Sequence, residues 1–154
     1  MSYSTELLDS AAATSHVHPQ TQANLRRAVS TAYYSLFHFL IEEACGNWIR
    51  PEQRGKLGRA FEHKQMSDAS NRCVRKYENA AAGTHESDLR SVASAFHKLQ
   101  RRRHTADYDL SGVFYDHEVD LDIRSVRNAF TNWSVIRNQQ IAQDYLFSLL
   151  FKER

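Results

Sequence analysis

Few residues in this 154-residue chain can make a tight turn or a cross-link: there are only five glycines, two prolines and two cysteines. A meander of short strands would have little to connect it. The many Ala, Leu, Arg, Gln and Glu side chains favour helices instead. Cys45 and Cys73 stand apart with no C-x-x-C or finger spacing, so neither a disulfide framework nor a zinc site is indicated. No apolar run approaches the ~20 residues that a membrane-spanning helix needs. The first six residues also lack the basic and apolar regions of a signal peptide. A soluble cytoplasmic protein with no membrane partner is the expectation. No glycine-rich phosphate loop, nucleophile elbow or dinucleotide fingerprint occurs, which leaves kinase, hydrolase and dehydrogenase readings without support. The eight histidines include no H-E-x-x-H or E-x-x-H, so no metal and no cofactor are expected.

What the chain does contain is helical periodicity. A short amphipathic segment runs from Ser4 to Ala13, ended by His16, His18 and Pro19. The strongest signal follows from about Pro19 to Ala44, with Leu25, Val29, Ala32, Leu36 and Leu40 on one face and Pro19 read as part of the first turn. Helical stretches from Pro51 to Phe61 and from Ser70 to Tyr77 come next, then a loop around Gly83 with Thr84 or Ser87 as helix caps. Leu89, Val92, Phe96 and Leu99 form a clean series whose next turn is Arg103, which therefore points inward or into a groove. Asp107 to Asp116 reads as a loop. Glu118 to Phe151 reads as one very long helix or two with a break near Asn138. The expectation is an all-α fold, one domain over residues 1–154, built as a bundle of about five antiparallel helices.

Net charge is only +2, yet residues 50–104 carry 13 Lys and Arg against 6 Asp and Glu, and residues 105–122 carry six acids and no base. The switch falls inside Leu99-Gln-Arg-Arg-Arg-His-Thr-Ala-Asp-Tyr-Asp-Leu110, the most chemically dense stretch of the chain. A core needs none of these side chains, and burying them unpartnered costs several kcal/mol. Arg103 could clamp a phosphate and His104 could move a proton, with Asp107 orienting it and Tyr108 touching phosphate or base. Lys98, Arg101 and Arg102 would add phosphate contacts. Equally, Asp107 could pair with Arg103 and simply hold the helix end closed. A second constellation, Arg27, Thr31, Tyr34, His38 and Glu42, falls along one stripe of the long second helix. It reads as a hydrogen-bonded seam inside the bundle or a polar face toward the Arg103 helix.

Three pieces in order carry a family resemblance. They are Arg27-Ala-Val-Ser-Thr-Ala-Tyr-Tyr-Ser-Leu-Phe-His38, Phe61-Glu-His63, and Arg103-His-Thr-Ala-Asp-Tyr108. Together they resemble the HEPN superfamily of nucleotide-binding helical domains, in its branch with an Arg-x-x-Ala-Asp-Tyr signature. The resemblance implies a helical bundle that forms a homodimer and engages RNA or a nucleotide. It also implies a toxin–antitoxin or defence role with a nucleotidyltransferase-type antitoxin as partner, and metal-independent endoribonuclease activity in many members. Tyr108 would then be a residue such a partner modifies. Active members place a histidine after the arginine with four to six residues between them, whereas this chain has Tyr108 in that region after Arg103. Arg90 and His97 fit the spacing but lie on the body of the helix.

Two functions compete. A ribonuclease needs Arg103 and His104 open in a shared cleft. A catalytically silent interaction module needs Arg103 buried against Asp107.

Overall fold

The computed structural model describes residues 2–152, and among them are seven helices and no strand. They are α1 (Tyr3–Ser15), α2 (Gln22–Gly46), α3 (Pro51–Gly58), α4 (His63–Lys76), α5 (His85–Tyr108), α6 (Asp116–Ile136) and α7 (Gln140–Ser148). The fold is all-α as the composition requires, with more pieces than the expected five. The helical stretch expected from Pro51 is the short α3, and the expected break near Asn138 is present, with residues 137–139 lying outside α6 and α7. No helix among the described residues is long and apolar enough to cross a membrane.

α2 is the central element, packed on α1, α5 and α6 and touching α3 and α7 at its end. Its Ala28, Val29, Ala32, Leu36 and Leu40 are fully buried, at the i, i+4 and i+7 spacing that gives a helix one apolar face. Val92, Phe96 and Leu99 of α5 and Val119, Val126 and Trp133 of α6 meet that face. Tyr145 of α7 hydrogen-bonds Ser70 of α4 at 2.7 Å, so the last helix is tied back to the fourth.

Several element bounds differ from the sequence expectation. Pro19 lies outside α2, because Thr21 caps the helix by accepting from the Asn24 amide at 3.1 Å. α4 starts at His63 rather than near Ser70. Thr84, one of the two candidates, caps α5 by accepting from the Ser87 amide. The largest difference is at the end of α5. Asp107 and Tyr108, expected in a loop, are helical.

That extra turn has a partner far away in sequence. Arg26 of α2 donates to the carbonyls of Ala106 (3.0 Å), Asp109 (2.8 Å) and Gly112, satisfying groups that a helix end leaves orphaned. The connection after α5 is held from the same helix. Gln22 donates to the Phe114 carbonyl at 2.7 Å and accepts from its amide at 2.9 Å. The Phe114 ring is buried between the guanidinium groups of Arg26 and Arg102. Arg26→Ala is therefore expected to destabilise the protein by about 1.5–3 kcal/mol, the range for hydrogen bonds from a charged group. Urea denaturation reads the loss, and amide exchange should accelerate at residues 105–112 rather than across the whole of α2.

Candidate functional site

The end of α5 sends its charged residues in different directions. Arg103 turns into the α2 contact and is only 7% exposed. Its guanidinium lies over the ring of Tyr33 at 5.1 Å and near that of Tyr34 at 5.9 Å. One turn on, Asp107 faces it at 3.6 Å. The inward direction read from the Phe96–Leu99–Arg103 series is what the structure shows.

Arg102 turns the opposite way, toward α6. It donates twice to one oxygen of Asp122 (3.0 and 2.7 Å) and approaches Glu118 at 3.5 Å. Burial pushes the Asp122 carboxyl above the ordinary carboxylate value, with Arg102 opposing that shift. Lys98, Arg101 and Arg102 line one shallow depression with Thr105 and Asp122, so the expected phosphate contacts share a surface with an acid already set in it. His104 is exposed, and its ring sits 5.0 Å from that of Tyr108, which is 68% exposed. Arg103 and His104 thus occupy opposite environments and share no cleft. Asp107 pairs with Arg103 rather than orienting His104.

The histidines that do stand with Arg103 come from other helices. His63, the first residue of α4, places Nδ1 2.6 Å from the Tyr33 hydroxyl and stacks on Phe37 with ring centroids 4.3 Å apart. Burial pushes the Tyr33 phenol well above its usual range despite the nearby Arg103 charge, so the hydroxyl keeps its proton; it donates to Nδ1 in the Nε2–H tautomer of His63 and accepts from Nδ1–H in the other. Tyr34 completes the wall, with His63 at 5.8 Å and His38 at 6.3 Å from its ring. Of the stripe expected on α2, Tyr34 and His38 belong to this cluster. Arg27 and Glu42 are exposed, Glu42 accepting a hydrogen bond from Ser4 of α1.

Both imidazoles are held below the ordinary histidine value. For His38 burial is the cause, with Glu42 pulling the other way. For His63 burial leads, and the positive charges of Arg103 and protonated His38 add to it. At neutral pH both rings are therefore neutral, and His63 lies in the field of the permanent Arg103 cation. The Nε of Arg103 is buried and has no hydrogen-bond partner among the described residues. One guanidinium and two imidazoles thus share the ring of Tyr34 as a neighbour.

Sequence reasoning placed Arg103, Asp107, Tyr34 and His38 but rested the histidine role on His104. Only the short Phe61-Glu-His63 resemblance pointed at His63. No group of three or more His, Cys, Asp and Glu side chains stands together in metal-binding geometry among the described residues. No family model, no curated protein and no solved structure matches this chain.

The depressed histidine values fix a pH dependence. The unfolded chain takes up protons near 6.5, where folded His38 and His63 still resist them. The unfolded state then binds more protons, and stability rises with pH. Stability is thus full above about pH 6.5 and declines as the pH falls through the folded-state values. Urea midpoints measured between about pH 7.5 and pH 5 should fall on acidification, and His63→Gln should flatten part of that slope.

Proposed function

We propose that this chain is an RNA-engaging helical protein of the HEPN type, with a toxin–antitoxin or defence role, that seats a backbone phosphate on Arg103 beside His63 and His38. The observation that carries the reading is the buried, unpartnered Nε of Arg103, whose guanidinium lies against the rings of Tyr33 and Tyr34, with His63 and His38 packed on Tyr34 in turn. Burying a donor without a partner costs about 1–3 kcal/mol, and a phosphate oxygen would recover it. A guanidinium there would stabilise the extra charge of a phosphorane. His63 would donate from Nε2 to a phosphate oxygen. His38, neutral at neutral pH, would take the proton of a ribose 2′-hydroxyl as that oxygen bonds to phosphorus; the P–O5′ bond would break, the 5′-oxygen leaving with a proton from water, to give a 2′,3′-cyclic phosphate by metal-independent endoribonuclease chemistry. His104 has no part in this arrangement. The family resemblance adds a homodimer and a nucleotidyltransferase-type antitoxin, and the exposure of Tyr108 suits modification by such a partner.

A second reading, a catalytically silent interaction module, is favoured by one specific contact. Arg103 faces Asp107 while nearly buried, the arrangement of a lock between α5 and α2. Binding of a labelled single-stranded RNA, read by anisotropy and by gel integrity, separates the two. The phosphate reading expects Arg103→Lys and His63→Gln each to weaken RNA binding by about tenfold or more, about 1.4 kcal/mol, with the fold retained by circular dichroism. His104→Ala should bind and cleave like the wild type. Unchanged RNA behaviour in folded Arg103→Lys, with a lowered urea midpoint, establishes the lock instead.

A further inference from the structure

An apolar groove lies away from Arg103, where the end of α2, α3 and α7 converge. Leu57, Phe61 and Leu146 form the floor of a groove of about 410 Å³, and Trp48, Phe147 and Phe151 form its walls. Ile49 at its edge is 90% exposed, Phe147 67% and Phe151 52%, so the apolar surface continues out of the groove. The walls are held in place. Trp48 donates its indole N–H to Gln53 at 2.7 Å, and Phe147 packs on Phe151 with centroids 4.7 Å apart.

The chemistry of the lining restricts the occupant. No lining residue is charged, and the two amides present are already spent, Asn47 donating to Gln143 at 2.6 Å. A phosphate or a nucleotide would find no cation inside. An extended peptide would find no strand edge, since every surrounding element is a helix. An apolar helix face fits, because it brings side chains at i, i+3, i+4 and i+7 with its own backbone satisfied.

Charge decides between partners. Residues 50–59 carry Arg50, Arg54, Lys56 and Arg59 against Glu52 alone. Glu52 is taken by Arg50 at 2.9 Å, and Arg54 is turned onto the carbonyls of Gly46 and Trp48. Lys56 and Arg59 have no acidic partner among the described residues and leave α3, one side of the groove, positive. A second copy would bring the same positive α3 against the first.

We propose that this groove docks an amphipathic helix of another protein whose apolar stripe is flanked by Asp and Glu. The inference does not depend on the phosphate site. Its test uses the full chain and two labelled 18-residue helical peptides sharing one leucine stripe, one flanked by glutamates and the other by lysines. Anisotropy should show the glutamate peptide binding at least tenfold more tightly than the lysine peptide. Phe147→Asp should weaken it tenfold or more, and the pair Lys56→Glu with Arg59→Glu should reverse the preference. All three altered positions are on the surface, and circular dichroism checks that each variant folds. Equal binding of the two peptides, no binding of the glutamate peptide at about a hundred micromolar, or an unchanged Phe147→Asp variant would each overturn the proposal. So would sedimentation showing a wild-type dimer that Phe147→Asp dissociates, since the face would then belong to a second copy.

Discussion

A guanidinium cannot shed its charge, so a chain that buries one at a helix contact must build the surroundings to suit it. Arg103 imposes that condition here. The rings of Tyr33 and Tyr34 offer their faces to the cation, which fixes the rotation of α2 against α5. Asp107 can answer from one turn further on only if α5 remains helical that far, and it does so because Arg26 takes up the carbonyls at its end. Tyr33 then binds His63, so the first turn of α4 is placed by the same ring that covers the arginine. One fixed charge thus sets the relation of three helices.

The same logic separates legible features from illegible ones. The burial of Arg103 followed from a period: Val92, Phe96 and Leu99 continue to position 103 on one face, and tertiary packing left that face alone. The α6–α7 break was likewise visible near Asn138. The true end of α5 was not, because its carbonyls are satisfied by Arg26, some eighty residues earlier, and no local residue announces a cap of that kind. Pro19 misled for a related reason. A proline suits a first turn, but Thr21, two residues on, supplies a side-chain cap that Pro19 cannot.

Which histidine stands near Arg103 was the hardest point to read. His104 adjoins Arg103 in sequence, yet neighbours on a helix point about 100° apart and rarely share a partner. His63 lies forty residues upstream and reaches the arginine only through Tyr33 and Tyr34. A similar dispersal applies to Arg101 to Arg103, which reads as one basic patch. Arg102 is absorbed by Asp122 and Glu118, so two of the acids that follow α5 are counter-charges of that helix. A charge run in sequence is not a charge patch in space.

The apolar groove and the arginine site are far apart along α2, since Tyr34 and Asn47 are separated by roughly 20 Å at ~1.5 Å per residue. A much shorter route joins them. Phe61 forms part of the groove floor, and His63 begins α4 two residues later. Glu62 between them makes no side-chain cap, so the start of α4 is held chiefly by the burial of Phe61 on one side and the His63–Tyr33 bond on the other. A helix seated in the groove would press on Phe61 and thereby bias the position of His63 against Arg103. Such coupling is reciprocal: whatever fixes His63 in the arginine site also fixes the floor of the groove.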